Sequence, residues 1–107
     1  MVKLKQGDVI MVNLNPTSGS EQGGYRPAVV ISKDYVINRT NIILVAPITS
    51  SIKQFPLNVQ IKFDSRDGMV LCGHLKSIDI KSRNIKFVGC LSEEELYRCR
   101  EVIVSMI

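Results

Sequence analysis

The chain has 107 residues, a length that suits one domain with a single modest core. Hydrophobic residues make up 45% of it and charged residues 22%, which excludes a disordered or low-complexity polypeptide. The net charge of +4 is unevenly spread: residues 92–101 hold four Glu against two Arg, whereas residues 1–91 hold twelve basic against six acidic residues. A basic body followed by an acidic terminal segment suits contact with a polyanion, and equally with an acidic peptide.

The opening MVKLKQGD meets polar residues at once, without the apolar core of a signal peptide. The longest apolar run, 42–48 (IILVAPI), is too short to span a bilayer, so the expectation is a cytoplasmic protein with no membrane contact. Cys72, Cys90 and Cys99 are odd in number and form no C-x-x-C pair. Neither a disulfide framework nor a closed zinc site is signalled. Cys72 and His74 are two residues apart, but two ligands without a second pair make a poor metal site, and none is expected.

In chain order, 8–14 (DVIMVNL) sets Val9 and Met11 against Ile10, Val12 and Leu14, a strand covered at least partly on both faces. Asn15-Pro16 ends it. A polar loop runs to about Tyr25, and 27–32 (PAVVIS) reads as a second, mostly buried strand. Residues 34–40 (DYVINRT) fit no single period; a short helical turn capped by Asp34 is the reading they allow. A third strand is expected at 42–46, bounded by Pro47. Residues 57–63 (LNVQIKF) alternate strictly, with Leu57, Val59, Ile61 and Phe63 inward. Asp67-Gly68 is a hairpin signal leading into 69–72. A turn near 74–76 and strands around 77–80 and 85–89 complete the sheet.

The terminal helix is the plainest element. Ser92 with Glu95 forms a capping box, Leu91 can staple to Leu96, and three Glu in the first turn complement the helix dipole. Leu96, Cys99, Ile103 and Met106 then recur at helical spacing. Five to seven short strands with one terminal helix predict an α+β domain, mainly antiparallel and partly barrel-like.

No G-x-x-x-x-G-K-[ST] loop, G-x-S-x-G elbow or paired acidic cluster is present, and the single histidine excludes chemistry that needs two imidazoles. Two loops carry the remaining signal. In 15–25 (NPTSGSEQGGY), Gly23-Gly24 permits positive φ and close approach of a ligand. Ser20, Glu21 and Gln22 supply a hydroxyl, a carboxylate and an amide within one turn, enough to read a base edge or seat a phosphate. Arg26 follows, its backbone restricted by Pro27. The second loop is 47–51 (PITSS). If strands 27–32 and 42–46 pair as a hairpin, Arg26 and Thr49 flank the same open edge, where a guanidinium and a hydroxyl make a phosphate clamp. Lys76, Lys81, Arg83 and Lys86 form a basic run suited either to RNA or simply to solvent.

The line GDVIMVNLNPTSGSEQGGYRPAVVIS, with VAPITSS and HLKSIDIKSR after it, resembles the MazF/PemK family of toxin endoribonucleases over nearly the whole chain and in the family's order. The resemblance implies one toxin domain over 1–107, an SH3-like barrel of the CcdB/MazF kind, and a homodimer. It further implies cofactor-free, metal-independent cleavage of single-stranded RNA at a short sequence, leaving a 2′,3′-cyclic phosphate and a 5′-hydroxyl. An antitoxin with a flexible, acidic segment would occupy the RNA groove. By motif, Arg26 and Thr49 match the family's catalytic arginine and threonine, and Ser20, Glu21 and Gln22 fall in its RNA-contacting loop. Gly23, Ser50, Lys53 and Lys76 complete the expected RNA-binding set. Some relatives use an Arg and an Asp where this chain has Leu71 and Gly73, so that variant chemistry is not expected here. A common Gln is replaced by His74.

Such cleavage needs the 2′-hydroxyl deprotonated, the 5′-oxygen protonated and a dianionic phosphorane stabilised. Removing a proton from a guanidinium at neutral pH costs roughly 7–9 kcal/mol, so Arg26 suits electrostatic stabilisation better than base catalysis. Glu21 is the better-matched proton acceptor and Thr49 a donor to the phosphate. Two other functions remain open on the same fold: a gyrase-binding toxin of the CcdB type, and a catalytically silent RNA- or antitoxin-binding module.

Overall fold

Alternate residues of the first strand feed two separate cores. Val9 joins Val29, Ile31, Ala46, Ile48, Val59, Ile61, Val70, Cys72, Leu91 and Cys99, while Ile10 and Val12 join Leu4, Leu14, Ala28, Val30, Ile37, Ile43, Val45 and Ile78. Both faces of the central strands are therefore covered, which is why they read as nearly continuous apolar runs. The computed structural model describes residues 3–15 and 24–107. Its elements are β1 (Asp8–Asn13), β2 (Tyr25–Val30), α1 (Asp34–Arg39), β3 (Ile42–Thr49), β4 (Asn58–Phe63), β5 (Arg66–Leu71), β6 (Lys76–Asp79), β7 (Lys86–Cys90) and α2 (Glu93–Val104), with a 3₁₀ turn at Cys72–His74. Every strand pairing is antiparallel, and the sheet runs β4-β5-β3-β2-β1-β7, with β6 added on β3. The sheet curls into a half-barrel closed by the C-terminal helix.

Four expectations change in detail. The third strand does not stop at Pro47 but continues to Thr49, with Pro47 fully buried. The Ile31 N–H donates to Leu44 O at 2.8 Å, which fixes the alternation between β2 and β3. Position 47 then directs its nitrogen away from β2, toward the stretch where β3 changes partner from β6 (paired with residues 42–45) to β5 (paired with 48–49). The 3₁₀ turn fills that stretch, so a residue without an N–H costs no ladder bond there.

The β4–β5 hairpin turns at Asp64-Ser65, both at positive φ (54° and 63°), and not at Asp67-Gly68. Two left-handed residues make the tight turn that matches strand twist, and Asp tolerates that region. Asp34 does not cap α1: the N-cap is Lys33, and the Asp34 carboxylate instead accepts the backbone N–H of Gln6 at 2.9 Å. Met106 ends the helical stripe exposed, and only Cys99 of that stripe is fully buried.

The capping box of α2 is present and does more than cap. Glu95 Oε1 accepts the Ser92 N–H at 2.9 Å, while Oε2 accepts the Lys62 N–H of β4 at 2.8 Å. One carboxylate thus starts the helix and ties it to the sheet. The other tether is Gly7, at φ 92°, whose carbonyl accepts the Leu91 N–H at 2.9 Å. A Cβ there would lie 3.1 Å from Leu96 Cδ2, so Leu91 and Leu96 both close on Gly7.

Partial burial works to raise the Glu95 pKa, but the N–H donors of Lys62 and Ser92 outweigh it and hold the carboxyl below its ordinary value. A depressed carboxylate stabilises the fold above its unfolded titration range and loses that stabilisation as pH falls through its folded value. Glu95→Gln is therefore expected to lower the melting temperature at pH 7. The gap between variant and wild type should close as pH drops below about 4. Thermal melts across that range check both.

Candidate active site

The register of β2 with β3 decides how the two signal-bearing loops meet. Ala28 pairs with Pro47, Val29 with Ala46 and Val30 with Val45. Carrying that register two residues outward sets Arg26 opposite Thr49. Arg26 is itself paired with Val12 of β1, and Thr49 with Met69 of β5, which faces Gln60 of β4. Val12 and Arg26 therefore form one row across β1 and β2, and Thr49, Met69 and Gln60 another across β3, β5 and β4, which the extended β2–β3 register aligns. In strands, every second residue shares a face, so Arg26 and Thr49 continue the face of Ala28, Val30 and Val45 to the sheet's rim.

The rim is open at this row for a covalent reason. Pro27 presents no N–H where the alternation would aim one at β3, and the β2–β3 pairing lapses beyond Ala28 and Pro47. At the mouth, where the two strand ends leave their ladder, stand a half-buried Arg26 and a half-buried Thr49. Thr49 Oγ1 accepts the Ser51 N–H at 3.2 Å, which orients the hydroxyl and leaves its proton for an outside acceptor. The backbone beneath Thr49 is also packed closely. Gly68 of β5 lies against it so tightly that a Cβ would stand 3.3 Å from Thr49 O and 3.3 Å from Ile48 Cγ2.

The other sequence-predicted residues are dispersed. Ser20, Glu21, Gln22 and Gly23 lie outside the described residues. Ser50 is exposed, next to the mouth; Lys53 is exposed further along the same connection, its carbonyl accepting Asn58 Nδ2 at 3.2 Å. Lys76 pairs with Val45, so it shares the face of Thr49 but sits four residues, about 13 Å, deeper along β3. His74 closes the 3₁₀ turn; its Nδ1 is buried and has no hydrogen-bond partner among the described residues. Cys72 faces α2, its thiol 4.0 Å from Cys99 O. Contact with the Cys72 thiol, and then burial, push Cys99 far above the ordinary thiol range, so it stays protonated and inert. Among the described residues no three His, Cys, Asp or Glu side chains converge as metal ligands. Gly73 stands where variant relatives would carry an acid, and a Cβ there would come within 2.9 Å of Leu57 Cδ1.

Sequence reasoning missed a second polar row beside the first. Asn13 pairs with Tyr25, and the β1–β7 register of Ile10 with Phe87 and Met11 with Lys86, continued outward, sets Asn84 against Asn13. Arg83 reaches over from the β6–β7 connection, and its Nη1 donates to Asn13 O at 2.6 Å and Asn15 O at 2.7 Å. The basic run around Arg83 was a signal for this, but only the register reveals which basic residue reaches the loop stem.

The fold is thus a curled antiparallel half-barrel sheet with a C-terminal helix. Residues 5–107 match the family described as the PemK-like, MazF-like toxin of type II toxin–antitoxin systems, and the chain belongs to that family. The MazF toxin endoribonuclease of Escherichia coli K12 is 41% identical over 101 residues, covering 94% of this chain and 91% of that one. EndoA, an endoribonuclease of Bacillus subtilis, is 32% identical over 106 residues, covering 94% and 90%. Among solved structures, MazF of Deinococcus radiodurans superposes with a TM-score of 0.89 at 29% identity, covering 99% of this chain and 97% of that one. A MazE–MazF complex from the same organism gives 0.82 at 29% identity, covering 99% and 96%. Among the described residues no helix is long and apolar enough to cross a membrane.

Gly68→Ala tests how tightly the mouth is built. The added methyl must shift Thr49 O or Ile48 by a few tenths of an ångström. The expected result is a fall in kcat of about tenfold, equivalent to roughly 1.4 kcal/mol at the transition state. Stability should fall by about 1 kcal/mol, measured by denaturant titration.

Proposed function

We propose that this chain is a sequence-specific endoribonuclease toxin that cuts single-stranded RNA and is neutralised by a cognate MazE-like antitoxin. The observation that carries the reading is the β2–β3 register, which puts Arg26 opposite Thr49 where the ladder lapses. A phosphodiester entering that mouth would meet a planar cation with several donors and a hydroxyl whose own acceptor site is already used. These are the groups a developing phosphorane needs.

The reaction starts when the ribose 2′-hydroxyl gives up its proton and its oxygen attacks the adjacent phosphorus. The bond from phosphorus to the 5′-oxygen breaks, and that oxygen takes a proton from water as it leaves. The products are a 2′,3′-cyclic phosphate and a 5′-hydroxyl. Arg26 stabilises the extra negative charge on the nonbridging oxygens, Thr49 donates to one of them, and Glu21 takes the 2′-proton. Because the nucleophile is built into the substrate, no metal-activated water is required, and cleavage proceeds in the presence of a chelator. Ser20, Gln22, Gly23, Ser50, Lys53 and Lys76 would hold the flanking RNA, in a homodimer that offers two such mouths. The acidic segment of an antitoxin would compete for the same basic surface. The rival gyrase-binding reading has no comparable use for an arginine and a threonine in one row.

Incubating the purified protein with a long RNA in EDTA and mapping new 5′ ends tests the proposal. One recurring cut sequence with 5′-hydroxyl ends is expected. Arg26→Ala should lower the rate by at least about 10³-fold and Thr49→Val by about 10²-fold, in line with the loss of transition-state donors elsewhere. Scattered ends that persist unchanged in Arg26→Ala would sink it. Full activity in Glu21→Gln would remove Glu21 alone from the mechanism.

A further inference from the structure

A cavity of about 490 Å³ opens beside the mouth, lined by Asn13, Asn15, Tyr25, Ser82, Arg83 and Asn84. Its volume falls within the range of about 300–1,000 Å³ typical of small-ligand sites. We propose that it is a nucleotide subsite: Tyr25 stacks on the base next to the scissile phosphodiester, and the surrounding amides and Arg83 hold that nucleotide's acceptor oxygens. The inference rests on the ribonuclease reading above and extends it to a part of the surface that the reading does not use.

Three observations converge on it. The first is polarity. Asn13 Oδ1 accepts the Asn15 N–H at 2.9 Å, and Asn15 Oδ1 accepts the Gly24 N–H at 3.0 Å. Both amides are thereby locked with their acceptor ends turned into the backbone, and their NH₂ groups make no hydrogen bond among the described residues. Arg83 spends one nitrogen on the carbonyls of Asn13 and Asn15 and keeps its remaining N–H donors. Among the described residues no carboxylate lines the cavity. A wall rich in donors fits phosphate oxygens, base carbonyls and ring nitrogens.

The second observation is the ring. Tyr25 is 59% exposed at the start of β2, and an exposed aromatic beside an arginine is a platform for an unstacked base. A planar ring discriminates a base from the aliphatic and carboxylate side chains of an acidic peptide, which would use the donors but not the platform. The third is position. Tyr25 immediately precedes Arg26, their Cα atoms about 3.8 Å apart, so the cavity is reached by the nucleotide adjoining the one in the mouth. Consecutive strand residues serve opposite faces, and a flexible single strand crossing the rim would contact both.

The test uses fluorescein-labelled oligoribonucleotides built on the mapped cut sequence, carrying a 2′-deoxy sugar at the scissile position and lengthened one nucleotide at a time in each direction. Affinity is read by anisotropy. One added nucleotide is expected to tighten binding to the wild type by about 5- to 100-fold, the range for a base stacked on an aromatic side chain. That step should shrink below about twofold in Tyr25→Ala and with an abasic nucleotide, and persist in Tyr25→Phe. Arg83→Gln should flatten the salt dependence of the same step. Each step is a ratio within one protein, so a general loss of folding cancels. An equal step in wild type and Tyr25→Ala, in a protein that still cleaves RNA, overturns the subsite alone. The same holds if these variants weaken an acidic antitoxin peptide and leave the RNA step intact. A wild type that neither cuts nor binds any of these RNAs overturns both readings.

Discussion

The arrangement depends on how β3 distributes its backbone hydrogen bonds. One edge pairs with β2, while the other pairs first with β6 and then with β5. Between those partners the register slips by three residues, taken up by Cys72–His74. Two prolines mark the two places where this scheme lacks a ladder bond. Pro47 lies at the change of partner, and Pro27 lies where β2 and β3 part. The first is buried and holds β3 straight through the core; the second ends the ladder and opens the rim. Moving either by one residue would aim a proline at a ladder bond and turn the neighbouring side chains to the other face.

From that backbone scheme the site's chemistry follows. A single row has to carry the arginine and the threonine, because only positions an even number of residues beyond Ala28 and Pro47 share their face. Gly68 lets β5 approach the Thr49 carbonyl closely, so the threonine is seated by backbone on one side and by the Ser51 N–H on the other. Rigid seating matters for a donor that acts on a transition state, since a hydroxyl that must first be oriented loses part of its effect to entropy.

Much of this was legible in the sequence. The capping box of α2, the alternation of 57–63 and the two-sided burial of β1 all appear as read, because local chemistry and periodicity fix them. The β2–β3 hairpin on which the Arg26 and Thr49 expectation rests was also legible, since which two strands pair is a topological statement that tolerates errors of a residue at each end. The failures share one cause. Proline at 47 and Asp-Gly at 67–68 are strong punctuation in isolation, and in each case a tertiary contact reassigns them. Pro47 stays in a strand because a 3₁₀ turn and not a strand lies on that side, and Gly68 is small for packing against Thr49 and not for turning. The row of Asn84, Asn13 and Tyr25 was not legible at all. It needs the β1–β7 register, which shifts between Val9 and Ile10, and a one-residue slip of that kind leaves no mark in composition.

The acidic helix raises a different question, because four of the ten carboxylates lie in residues 92–101 of a protein proposed to hold a polyanion. Its position resolves the conflict. α2 packs on the core containing Val9, Leu91 and Cys99, which is the face opposite Arg26 and Thr49. Its first turn is fixed by Gly7 at the start of β1 and by Lys62 in β4. Asn13 and the donor-lined cavity stand at the other end of β1, six residues or about 20 Å away. At physiological ionic strength that is more than twice the screening length of about 8 Å, so a charge at the Gly7 tether exerts little repulsion on an anion in the cavity. The first-turn glutamates therefore strengthen the helix through its dipole at a distance from that cavity. The same charges moved onto the β6–β7 connection would sit beside Arg83 and the donor-lined cavity and oppose an anion there.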